Sequence, residues 1–320
     1  MAGLSARLRT GCRGHGRDRG QLLLVGAFSL ALLVVALAMI LNGVASGEVL
    51  ATDRTDVHDA RDAVRFEHSV HRGIGGAVEV LNRRNDGSYA DLDTALADSV
   101  DDWDEAAARG SAAEGVDLSV ERVDWERGTR IEQRDSRTFT DANATENWTL
   151  ASAVGQTRAF EMNVSRTNLS SSCTPECFAV VADDGTDVWR ASFTQTASKI
   201  DVTVESPTET KTCSVSGASA VVDLSSGTVN DGTCSFPPFA DGLGGSYDIG
   251  YENGTRADGT YGLVVDVNES GVLGVSPDRY DETAPTASPA VYAVTVSVTY
   301  QTPQLAYATE LRVVPGETDA

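Results

Sequence analysis

Four cysteines share the second half of this chain, Cys173, Cys177, Cys213 and Cys234, and their chemistry depends on the compartment they meet. An even set in an exported domain forms disulfides, with three connectivities open to four thiols. The most local pairing, Cys173 with Cys177 and Cys213 with Cys234, is the one expected. The rival is a zinc site of four thiolates. Cys-x3-Cys followed by two widely separated cysteines is poor spacing for it. Cys12 stands apart near the N-terminus and is given no structural role.

Histidine limits the catalysis that can be written. His15, His58, His68 and His71 all precede residue 111, and the region after it has none. A Ser–His–Asp or Cys–His device inside that region is therefore impossible. His68 and His71 lie three apart, a spacing that can hold a metal, but a pair flanking an apolar helical stripe is more often solvated. Asp183-Asp184-Gly185-x-Asp187 offers oxygen ligands for calcium; in so Asp-rich a chain it reads better as a hairpin turn. Acids are so numerous that no two of them stand out as a glycosidase-type pair. Gly73-Ile74-Gly75-Gly76 and Gly242-Leu243-Gly244-Gly245 lack the strand–loop–helix context and the lysine of a phosphate loop. No catalytic residue, cofactor or metal is expected.

One kind of covalent chemistry is well represented. Asn143, Asn147, Asn163, Asn168, Asn253 and Asn268 each open an Asn-x-Ser/Thr acceptor sequence for N-glycosylation, six of the ten asparagines in the chain. Asn163 falls on the strand face opposite Phe160, Met162 and Val164, and Asn147 opposite Trp148 and Leu150. Asn143 and Asn147, like Asn163 and Asn168, are too close together for every site to be modified.

These residues need elements to hold them, and the elements need an address. The chain carries a net charge of −22, with Asp+Glu 47 against Lys+Arg 25, and its only lysines are Lys199 and Lys211. Such a surface repels nucleic acid and anionic lipid, and neither is an expected ligand. An acidic, arginine-using, lysine-poor composition fits a salt-loving archaeon, where molar salt shortens the Debye length to about 3 Å. Five arginines (Arg7, Arg9, Arg13, Arg17, Arg19) crowd the first twenty residues. Leu22 to Leu41 follows without a single charge. At about 1.5 Å per residue it is roughly 30 Å long, the thickness of a bilayer core. Its Leu, Val, Phe and Ile side chains sum to about −4 to −8 kcal/mol of insertion free energy as an upper bound. With arginines before the span and Glu48, Asp53 and Asp56 after it, the N-terminus stays in the cytoplasm and the rest is exported. A cleaved signal with Val44-Ala45-Ser46 at its end is the alternative, although signal cores are usually about 7–15 residues.

Beyond Asn42 and Gly43 a polar helical pattern resumes. Ala63, Phe66, Val70, Ile74, Ala77 and Leu81 recur at threes and fours, and Asn85-Asp86-Gly87 ends the run. A second helix is expected from Tyr89 to Arg109, with Leu92, Leu96, Val100 and Trp103 on one side. Both apolar faces need cover, which strands downstream can supply. From Val116 the period becomes two. Tyr292, Val294, Val296, Val298 and Tyr300, then Leu305, Tyr307, Thr309, Leu311 and Val313, read as a β-hairpin. Ile200-Val202-Val204 and Phe160-Met162-Val164 alternate in the same way. A phase slip at Glu121-Arg122 signals a bulge, and Asp281 to Pro289 is expected as an exposed loop.

Arg19-Gly20-Gln21-Leu22-Leu23-Leu24-Val25-Gly26, a basic leader running straight into an apolar helix, resembles the start of archaeal type IV pilin-like proteins. Within these it is similar to an uncharacterised haloarchaeal membrane-protein family. The resemblance covers roughly residues 17–42 and the helix-then-β layout. It implies a leader peptidase cut between Gly20 and Gln21, and an apolar helix that stays in the membrane or packs in a filament core. Val25 departs from the glutamate that assembling pilins usually carry at the fifth mature position.

The expected fold class is α+β: a leader (1–20), a transmembrane helix (21–42), a helical stalk (43–110) and an antiparallel, sandwich-like β-rich ectodomain (111–320). The expected role is that of a membrane-anchored, pilin-like surface protein, a minor pilus or secretion-apparatus subunit being one form of it. Its partners would be the bilayer, through residues 22–41, and other pilin-like subunits. A monomeric adhesin or ligand-binding ectodomain is the first rival, and an extracellular carboxylate-dependent hydrolase the second.

Overall fold

Near residue 116 the hydrophobic period changes from three-and-a-half to two, and there the chain passes from helix to strand. A computed structural model of the protein describes residues 55–316, apart from 85–86, 112–114, 175, 231 and 276. From Asp56 onward they belong to one compact unit. The leader, the Gly20–Gln21 junction, residues 22–41 and Cys12 lie outside the described residues. Among the described residues no helix is long and apolar enough to cross a membrane.

Helix α1 is Thr55–Arg84 and α2 is Tyr89–Ser111. Of the expected α1 stripe Ala63, Val70 and Ile74 are buried and Phe66, Ala77 and Leu81 half-buried, with Val78 buried beside them; on α2 Leu92, Leu96 and Val100 are buried and Trp103 half-buried. Ser88 starts α2 with a capping box. Its hydroxyl and backbone N–H both donate to the Asp91 carboxylate, at 2.8 Å each.

The strands are β1 (Asp117–Thr138), β2 (Trp148–Val154), β3 (Thr157–Ser165), β4 (Phe178–Asp183), β5 (Val188–Gln195), β6 (Lys199–Glu205) and β7 (Thr210–Ser216). They continue with β8 (Ser219–Asp223), β9 (Thr228–Val229), β10 (Cys234–Ser235), β11 (Tyr247–Glu252), β12 (Asp258–Val265), β13 (Thr286–Gln301) and β14 (Ala306–Val313), with a short helix α3 (Glu269–Val275) between β12 and β13. All pairings are antiparallel. An eight-stranded sheet runs β10-β9-β8-β3-β12-β1-β13-β14, and a six-stranded sheet β2-β11-β4-β5-β6-β7.

The two sheets face each other as a sandwich. Phe160, Met162, Val164 and Leu263 from the larger sheet meet Phe178, Val180, Trp189, Phe193, Val202 and Val204 from the smaller, all within 1 % of complete burial. Aromatic rings bridge the layers: Tyr251 of β11 meets Tyr261 of β12 edge-on at 5.2 Å, and Phe139 stacks on Phe178 at 4.6 Å. Each such side chain contributes roughly 1.5–3 kcal/mol by leaving water.

A second core lies under the helices. Val70, Ile74, Val78, Leu92, Leu96 and Val100 pack on Val120, Val294, Val296, Val298 and Val313. The described part of the segment read as a stalk therefore folds onto β1, β13 and β14, because its apolar stripes have those valines to cover. Strand β1 serves both cores. Its first half pairs only with β13, under the helices, and its second half also pairs with β12 in the sandwich.

Bulges make the change of face possible. Val123 is an extra residue on β1, one position beyond the Glu121-Arg122 slip, and Tyr292 is extra on β13. The segment 281–289 is only partly a loop, since β13 already begins at Thr286 and pairs with Glu132. Thr286-Ala287-Ser288-Pro289 has no apolar alternation to announce a strand.

Candidate functional site

The four cysteines pair as Cys173–Cys177 and Cys213–Cys234, with Cα atoms 4.5 and 5.8 Å apart. Bonded to one another, they are not zinc ligands. The second bond has structural reach. Cys213 belongs to β7, the last strand of the six-stranded sheet, and Cys234 to β10, the last of the eight-stranded sheet, so the disulfide stitches the two layers at their open edges.

Asp183 to Asp187 is a hairpin turn between β4 and β5. Asp184 accepts the backbone N–H groups of Thr186 and Asp187 through one oxygen and that of Gly244 through the other, all at 2.8 Å. Those donors, Asp187 foremost, hold its carboxyl below the usual range. His68 and His71 lie on α1, and among the described residues no group of three His, Cys, Asp or Glu could hold a metal. Gly73 sits inside α1 against the Trp103 indole of α2, and Gly75 faces Val313. This glycine run permits close helix packing.

The most developed polar network lies where α1 ends against the eight-stranded sheet. Asn82 is 4 % exposed. Its Nδ2 donates to Val291 O, and Val291 N donates to its Oδ1, both at 2.8 Å. In an extended strand the N–H and C=O of one residue point the same way. The Asn82 amide thus takes the place of a neighbouring strand just beyond the last β14 rung, Val294 with Val313.

Arg158 completes the arrangement. Its Nη2 donates to Val291 O at 2.7 Å and its Nε to Tyr292 O at 3.1 Å, with the guanidinium 5.6 Å from the Tyr292 ring centroid. Ala159 next to it has φ 53°, and the β3–β12 register slips there, turning Arg158 toward the β13 bulge. Arg130 donates to Asn82 O at 2.9 Å and pairs with Glu132, whose other oxygen meets Arg134 at 2.6 Å. These residues line an open groove of about 530 Å³ that also includes Arg83, Glu79, Glu161 and Asn163. Each of the three central arginines is engaged by a carboxylate or carbonyl, which makes the groove a structural joint and not a free cationic surface.

The sequons divide by what their amides do. Asn143, Asn147, Asn163, Asn168 and Asn268 are exposed, and Asn253 is half-buried with φ 56°. Asn143 Nδ2 donates to Asp278 O at 2.7 Å, Asn168 Nδ2 to the Asp258 carboxylate, and Asn253 Nδ2 to Cys177 O at 3.0 Å. Asn147 and Asn268 only accept: Asn147 Oδ1 from Asn253 N at 2.8 Å, and Asn268 Oδ1 from Ser270 Oγ and Gly271 N at 2.8 Å. Among the described residues the amide nitrogens of Asn147, Asn163 and Asn268 donate to nothing.

Position follows from the strands. Asn143, Asn147, Asn168 and Asn253 gather around the end of β1, where Thr138 pairs with Asp258 and Asp258 with Ser165. The other end of β1 pairs with Gln301, near the β13–β14 turn, and the first half of α1 passes there: Phe66 lies 6.2 Å from Tyr300, and Tyr307 donates to Glu67 at 2.8 Å. At about 3.3 Å per residue, the 22 residues of β1 could span at most roughly 70 Å, and its bulges bring the two ends closer than that.

Sequence reasoning found the cysteines, the sequons and the Asp turn. It missed Asn82, Arg158 and Glu132. One signal was there for Asn82: it falls four residues after Val78, a polar residue on the buried side of a helix. No family model, curated protein or solved structure matches this chain.

Proposed function

We propose that this protein is a membrane-anchored, pilin-like, glycosylated cell-surface protein that acts through structure and contact rather than catalysis. The observation that carries the reading is the Cys213–Cys234 bond across the sandwich edges, since such bonds persist in oxidising compartments outside the cell. The five exposed sequon asparagines fit the same address. Residues 22–41 supply the bilayer contact, with the arginine-rich leader held in the cytoplasm. An anchor there is continuous in sequence with α1. Other pilin-like subunits are the proposed partners. Val25, in place of the usual glutamate, favours the second reading, a monomeric adhesin or ligand-binding ectodomain on the same anchor.

Mass spectrometry of the mature N-terminus tests this. A start at Gln21 supports the pilin-like reading, and an intact arginine leader supports the plain anchor. A start near Gly47 would mean a secreted protein and would overturn both. Protease added to intact cells should remove the region after residue 55.

A further inference from the structure

We propose that N-linked glycans attach at Asn147, Asn163 and Asn268, and that Asn143, Asn168 and Asn253 stay bare because their amides are structural; this rests on the surface address proposed above. The six sequons fall into pairs along the chain, and each pair has one committed and one uncommitted amide. Asn143 is committed and Asn147 is not, Asn168 is committed and Asn163 is not, and Asn253 is committed while Asn268 is not.

The chemistry depends on Nδ2. It attacks the anomeric carbon of a sugar joined through phosphate to a carrier lipid. The N–C1 bond forms, the C1–O bond to phosphate breaks, the carrier leaves as its phosphate, and the amide gives one proton to a base of the transferase. Asn147, Asn163 and Asn268 are exposed and present a nitrogen that donates to nothing among the described residues. The Asn147 oxygen keeps the bond from Asn253 N that orients it, and the Asn268 oxygen those from Ser270 and Gly271. A sugar on Asn253 would have to sit beside Cys177 O or break that bond, in a half-buried loop whose Thr255 hydroxyl is also held, by Glu146 at 2.6 Å.

The test uses protein from the native cells. Intact cells are first shaved with protease, and glycopeptides of the purified full chain are then mapped. Sugar on Asn147, Asn163 and Asn268, with the other three bare, is the expected result. Sugar on Asn143, Asn168 or Asn253, or none on any one of the first three, overturns the assignment. If the chain resists shaving, the surface reading fails and takes this one with it; if it is shaved but bare, only this one fails. A second measurement needs no glycan: Asn253→Gln in refolded protein should lower the melting temperature by about 2–4 °C, and Asn163→Gln should leave it unchanged. Equal shifts would remove the basis of the division.

Discussion

The side-chain amide of Asn82 and the backbone of Val291 exchange two hydrogen bonds of 2.8 Å, one in each direction. A helix residue thereby completes a sheet. Replacing it leaves the buried Val291 N–H without its acceptor, while Val291 O keeps Arg158; an orphaned buried group of this kind costs about 1–3 kcal/mol. Asn82→Ala should lose stability in that range by urea titration. Asn82→Asp should do no better, because it removes the Nδ2 donor. A loss below about 0.5 kcal/mol would mean that water reaches the Val291 N–H in place of Asn82.

Gly73 makes a prediction whose sign depends on two opposing magnitudes. Alanine is favoured over glycine inside a helix by about 1 kcal/mol. Here, however, a Cβ would overlap the Trp103 indole nitrogen, and overpacking of this kind costs about 1–3 kcal/mol. Gly73→Ala should therefore lower the melting temperature. In a Trp103→Leu background the same change should raise it.

Tyr251 and Tyr261 are buried with hydroxyls that have no hydrogen-bond partner. Removing an unsatisfied hydroxyl removes its desolvation cost, so Tyr251→Phe and Tyr261→Phe should be neutral or stabilising by up to about 1 kcal/mol. Tyr280 is different, because its hydroxyl donates to Leu150 O, and Tyr280→Phe should destabilise.

The same tyrosines set the alkaline limit. Burial pushes the Tyr251, Tyr261 and Tyr280 phenols up. A group whose folded pKa is raised contributes stability that is complete below its unfolded value, near 10, and is lost as pH climbs above it. Absorbance at about 295 nm should therefore show these phenols ionising only together with loss of tertiary structure above pH ~10. Ionisation with the fold intact would contradict their burial.

The two disulfides should differ in worth. Cys213–Cys234 closes a separation of 21 residues and Cys173–Cys177 one of 4. Loop-closure entropy gives about 3 and about 2 kcal/mol respectively. Paired Cys→Ala variants should follow that order in chemical denaturation, and only the 213/234 pair should loosen the sheet edges in hydrogen exchange.

The strand alternation of Phe160-Met162-Val164, Ile200-Val202-Val204 and Val294 to Tyr300 was legible because which face a strand residue takes is a local property of period two; Tyr292, read as part of that face, is instead the bulge residue and packs with Val264 and Ala290. The helical stripes of α1 and α2 were legible for the same reason. What was hidden depends on partners distant in sequence. That β1 spans both cores, that Gly73 faces Trp103, and that Asn253 is tied to Cys177 can be known only once the chain has folded back. The sequons were visible as motifs, but their division into committed and uncommitted amides was not.

Strands β1 and β13 lie side by side from Asp117 opposite Gln301 to Glu132 opposite Thr286. Their hydrogen bonds run across the strands. Tension applied between the start of α1 and the sequon-rich end would load that ladder in shear, with its rungs resisting together instead of opening one at a time like a zip. A strand pair loaded this way yields only when many rungs break at once.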